Sequence, residues 1–145
     1  SELLKQLLAT QYAFVIKAQF FHWNVEGPRF HSLHEFFGEI YEEVYDNSID
    51  QTAEYIRILE EYTPGSFERF QELSLITGQT KVPRARLMLE ELLADTQTMK
   101  DLVMQVFEAA QQEGREDIAN FMAERQDSHG KYMWQLKSFL KDARA

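Results

Sequence analysis

Apolar residues return every three or four positions along most of this chain. Residues 2 to about 25 carry Leu3, Leu4, Leu7, Leu8, Phe14, Val15 and Ala18 at helical spacing. Pro28, suited to a first helical turn, opens a second run that lasts to about residue 62. Behind Ser66, a good N-cap, Phe67, Phe70 and Leu73 repeat at threes and predict a short helix over 66–75. A broad stripe of Leu87, Leu92, Met99, Val103 and Phe107 predicts a helix from 84 to about 113, ended by Gly114. Ile118, Phe121, Met122, Met133, Leu136 and Leu140 predict a last one from 116 to about 141. The three prolines and four of the six glycines fall in the breaks between these runs, and no alternating strand pattern or internal repeat competes. The expectation is an all-α single domain over 1–145, a four-helix bundle with a short extra helix in the long crossover between its second and third helices.

Composition narrows what such a bundle can do. The 145 residues suit one domain with a real core. No apolar run reaches the roughly 20 residues that a bilayer span needs, and the start SELLKQLLAT lacks the layout of a signal peptide, so a soluble cytoplasmic protein is expected. There is no cysteine, so a metal here must be held by imidazole and carboxylate. The net charge of −9 disfavours a general phosphate-binding surface and permits one that collects cations, although plain solubility accounts for it as well.

Three of the four histidines, His22, His31 and His34, gather around the Gly27-Pro28 turn, and Gly38 interrupts the helix that follows. With His34 at zero and about 100° per residue, Gly38 falls at about 40°, Glu39 at about 140°, Asp50 at about 160° and Glu54 at about 200°. On a straight helix the three acids therefore oppose His34. If one residue is absorbed as a π-bulge around Gly38, everything beyond it turns back by about 100°, and Glu39, Asp50 and Glu54 join His34 on one face. One histidine with three carboxylates is costly to bury without a cation, and iron(II) accepts such mixed nitrogen and oxygen donors.

The run FHWNVEGPRFHSLHEFFGEIYEEVYDNSIDQTAEYIRIL resembles the signature of the Dps family, the miniferritins, in which HWN-x-x-G-x-x-F-x-x-LH is followed by D-x-x-x-E. The likeness continues through TPGSFERFQELSLI and KYMWQLKSFL and so covers nearly the whole chain. It implies a ferritin-like four-helix subunit assembled into a hollow dodecamer, with a ferroxidase site at each twofold interface. One subunit gives histidines and its partner the Asp/Glu pair. Iron(II) is oxidised by hydrogen peroxide or oxygen and stored as ferric mineral, which protects against oxidative damage. Carried over by position, His22 and His34 resemble the histidines of one half-site and Asp50 and Glu54 the carboxylates of the other. Trp23 resembles the tryptophan beside the site that intercepts radicals, although an aromatic at helical spacing is also ordinary core.

Three departures follow. The family pattern has an acid four residues after the second histidine and the Asp fifteen after it; here Gly38 takes the first place and Asp50 comes sixteen later. Glu39 is then the candidate for the missing acid. His31, three before His34, is a candidate third nitrogen ligand that would favour zinc or retune iron reactivity; an exposed histidine without a metal role is the other reading. Tyr55 stands where the family has Arg. His129 falls on the apolar stripe of the last helix and reads as packing or pore lining, and Asp117, Glu124 and Asp127 as an iron entry pore or a solvated face. Neither chain end carries a basic tail, so little direct DNA binding is expected. An intrasubunit di-iron enzyme would want Glu-x-x-His, which is absent. A shell that kept the fold and lost its centre, or holds zinc there, is the remaining alternative.

Overall fold

Leu4, Leu7, Leu8, Phe14, Ala18 and Phe21 are buried along the inner face of α1 (Glu2–Asn24) in the computed structural model, which describes residues 1–142. After the turn at Gly27, whose φ of 111° suits a residue without Cβ, α2 (Phe30–Val44) runs back alongside α1. A π-helical turn, Tyr45–Ile49, then leads without a break into α3 (Asp50–Ile58). The crossover carries α4 (Phe67–Leu73), whose N-cap Ser66 accepts a hydrogen bond from the Arg69 amide at 3.2 Å. Phe70 of α4 stacks on Tyr12 of α1, with ring centroids 5.2 Å apart, and so fastens the crossover to the bundle. The long α5 (Ala85–Gln112) and α6 (Glu116–Leu140) pair with each other, and Gly114, at φ 70°, makes the turn between them.

The core is continuous: Phe37, Ile40, Val44 and Ile56 of the second helical run meet Met88, Leu92, Met99, Val103, Met122 and Leu136. Successive contacts fix α6 antiparallel to the α2–α3 run, from Phe139 against Phe36 (ring centroids 4.9 Å) to Phe121 against Tyr55 (5.6 Å). Among the described residues there is no strand, and no helix is long and apolar enough to cross a membrane. Each expected helix is present, with ends shifted by a few residues, but the second is interrupted where the sequence reading did not put the interruption.

Candidate functional site

His22 at the end of α1 and His34 in the first turns of α2 face each other across the Gly27-Pro28 turn. Their rings lie nearly parallel, 11° between planes and 3.9 Å between centroids. Each Nδ1 meets the other residue's backbone carbonyl, His22 to His34 O at 2.5 Å and His34 to His22 O at 2.7 Å. A carbonyl can only accept, so both Nδ1 atoms carry the proton and both Nε2 atoms keep a lone pair. Such a carbonyl behind the ring is the usual support of a metal-ligating histidine.

Gly38 belongs to this arrangement. A Cβ there would come within 3.0 Å of His22 Cε1 and Nδ1, so a side chain would push the imidazole out of place. The sequence reading made Gly38 the mark of a bulge, and that is corrected here: α2 is regular through Gly38 and Glu39, and the glycine makes room for a ring. Gly130, the other mid-helix glycine, has no comparable requirement, since a Cβ would sit at an ordinary 3.6 Å from Lys100 Nζ.

The extra residue is absorbed seven positions further on, at Tyr45–Ile49. Asp50 and Glu54 come after that turn and are rotated by about 100° onto the His34 face, as the wheel required. Glu39 comes before it. It keeps the angle of a straight helix, about 140° from His34, and is exposed; the expectation that it replaces the missing acid is overturned by the position of the turn. His31 is also exposed, at 83%, with Nε2 3.3 Å from Glu35 Oε1 one turn along, and is not brought to the His22–His34 pair. Trp23 is 64% exposed beside His22, so the core reading of that residue fails. Tyr55, in place of the customary arginine, packs on Phe121, and its hydroxyl donates to Asp117 O at 3.4 Å.

Asp50 and Glu54 share one exposed face of α3. Asp50 borders a groove of about 450 Å³ lined by Tyr12, Tyr45, Ile49, Phe67 and Phe70. The Tyr12 hydroxyl is held above its ordinary value by burial first, then by Tyr45 and the charge of Asp50. Sixteen residues of helix separate His34 from Asp50, about 24 Å at 1.5 Å per residue. One chain therefore carries two separate donor pairs, and among the described residues no group of three or more His, Asp or Glu could hold a metal within it.

Sequence reasoning missed a second polar centre. Glu43 accepts Arg125 Nη1 at 2.7 Å and Nη2 at 2.9 Å, and also the Tyr132 hydroxyl. Burial alone would raise its carboxyl, but the bonds from Arg125, Tyr132 and Asn47 bring it down from 4.5 to about 2. His129 is fully buried next to this cluster with neither ring nitrogen bonded to protein, which settles packing over pore lining. Asp117 pairs with Arg115 and Asp127 with Lys131, as on a solvated helix face. The only hint in the sequence was a charged residue, Arg125, amid an apolar stripe.

A family model described as ferritin-like domain matches residues 1–145. The chain is 34% identical over 141 residues to an uncharacterized low temperature-induced protein of Nostoc sp., covering 96% of this chain and 78% of that one. It is 29% identical to DNA protection during starvation protein 2 of Bacillus anthracis, covering 96% and 94%. The crystal structure of Dps from Staphylococcus aureus superposes with a TM-score of 0.90 at 30% identity, covering 95% and 92%.

Proposed function

Because the chain belongs to the ferritin-like domain family, and within it to the Dps proteins, we propose that it oxidises and stores iron, with His22 and His34 of one subunit and Asp50 and Glu54 of another forming each ferroxidase centre of a hollow dodecamer. The observation that carries this reading is the reciprocal Nδ1-to-carbonyl pairing of the two histidines, which leaves two unprotonated Nε2 atoms ready for a divalent ion. Near-parallel stacked rings have in-plane lone pairs that do not converge, so each imidazole serves its own iron, and the carboxylates across the interface complete both. The apolar groove beside Asp50, with Phe67 78% exposed at its edge, suits cover by the second subunit.

Iron is substrate and cargo here. Two iron(II) ions give two electrons to one hydrogen peroxide; with two waters the products are two ferric oxyhydroxide units and four protons. Asp50 and Glu54 bind and orient the ions and pass protons to solvent; the two histidines, tied at Nδ1, remain ligands throughout. Oxygen is the slower oxidant in this reading. Zinc takes the same donors without redox chemistry and acts as an inhibitor. With −9 per subunit, protection of DNA comes from removing iron and peroxide and not from direct contact with phosphates.

The test is anaerobic iron(II) titration of the metal-free protein, followed by peroxide, with ferric absorbance read against a protein-free control. Fast oxidation that is lost in Asp50→Asn with Glu54→Gln and in His22→Ala with His34→Ala supports the assignment. A rate equal to the control in the unaltered protein would leave a shell without a working centre.

A further inference from the structure

An extra residue in a helix has no place of its own. Left to the backbone, the wide turn can stand at any of several positions at similar cost, and side chains must choose one. In this chain the choice is made by contacts from two other helices. Glu43, two residues before the turn, is fixed by the two bonds from the buried Arg125 and by Tyr132 of α6. Ser48, inside the turn, is fixed by Gln11 of α1, whose Nε2 donates to Ser48 Oγ at 2.5 Å with both residues fully buried. Were the wide turn to move ahead of Glu43, that carboxylate would rotate by about 100° and leave Arg125 as an uncompensated buried charge. Were it to move beyond Ser48, the hydroxyl would swing away from Gln11. The extra residue is thus confined between the two. Within the turn, Asn47 Nδ2 reaches back to Glu43 Oε2 at 3.1 Å, and Gln51 Nε2 donates to the Asp46 carbonyl at 3.2 Å.

The consequence lies at Asp50 and Glu54, the first and second turns after Ile49. A wide turn that slipped past them would return them to about 160° and 200° from His34, on the far side of the helix. We propose that Gln11, together with Arg125 and Tyr132 acting through Glu43, are positioning residues for the ferroxidase centre: they hold the π turn at Tyr45–Ile49 and thereby aim Asp50 and Glu54. This rests on the assignment of those two carboxylates as iron ligands. None of the three touches the iron, and nothing in the linear spacing of the ligands points to them.

The test uses the fact that the device is needed only while the extra residue is present. Deleting Asn47 shortens the run to an ordinary α-helix with Asp50 and Glu54 on the same face as before, so iron(II) affinity of the assembled protein, by anaerobic calorimetric titration, should stay near that of the unaltered chain. Gln11→Leu in the unaltered chain should weaken iron(II) binding about fivefold to tenfold, the scale of one buried hydrogen bond. In the Asn47-deleted chain the same substitution should change affinity less than about twofold. Tyr132→Phe provides a second variant with the same expected pattern, milder than any change at Arg125, which risks the fold. Circular dichroism and the thermal midpoint report folding in each. Equal loss in both backgrounds, or none in the unaltered chain, overturns the positioning role. If the unaltered protein and Asp50→Asn with Glu54→Gln bind iron(II) alike, the ligand assignment itself fails and the positioning role with it.

Discussion

Gly38 sets two demands of helix chemistry against each other. Alanine would favour α2 by about 1 kcal/mol through propensity, yet its Cβ would meet the His22 ring at 3.0 Å. Gly38→Ala should therefore leave the thermal midpoint unlowered while iron(II) affinity drops about tenfold, because the displaced imidazole loses its bond to the His34 carbonyl; parallel titration and melting separate the two effects. His129 gives a pH signature. Burial first, then the Arg125 charge, takes its imidazole from 6.5 down to about 3. The unfolded chain binds that proton near pH 6.5 and the folded chain only near pH 3, so stability is full above 6.5 and falls as pH drops through that window. The depressed Glu43 acts lower: its contribution is present above 4.5 and is lost as pH falls towards about 2. His129→Leu should flatten the upper part of the profile, recovering roughly 2 kcal/mol at about pH 5 in urea unfolding.

At the scale of elements, the five helical runs were legible because apolar periodicity is a local property, and Ser66, Gly114 and Pro28 mark boundaries by their own backbone preferences. The need for one rotated register was also legible, from Asp50 standing sixteen residues after His34. Its place was not. Gln11 and Ser48 are 37 residues apart in the chain, and Glu43 and Arg125 are 82 apart, so the contacts that select the wide turn exist only after the bundle has formed. Gly38 drew the bulge in a one-dimensional reading because a glycine inside a helix asks for a reason, and the true reason, a ring from another helix, lies outside that helix. A similar long-range tie joins α1 to α5: Lys17, 4% exposed, meets Asp95 at 2.7 Å and Glu91 at 3.8 Å. Lys17→Met should lower stability by about 3 kcal/mol, since it leaves Asp95 buried without its partner, and adding Asp95→Asn should restore much of that in thermal melts.

For the whole molecule, an acidic surface and two incomplete donor pairs set the behaviour. A gel shift with linear DNA at low salt should show no retention, because nine excess negative charges per subunit oppose counterion release. The separation of about 24 Å between the two donor pairs makes every centre a joint product of two chains, which has a genetic consequence. Consider one chain lacking its histidines (His22→Ala, His34→Ala) and another lacking its acids (Asp50→Asn, Glu54→Gln). Each alone is inactive. In a twofold pair made of one of each, one of the two centres takes histidines from the second and acids from the first and is intact, while the other is doubly dead. Random co-assembly makes half of the pairs mixed, so shells refolded from equal amounts should recover about a quarter of the unaltered oxidation rate. Two alleles that are each null would then complement one another inside a single shell.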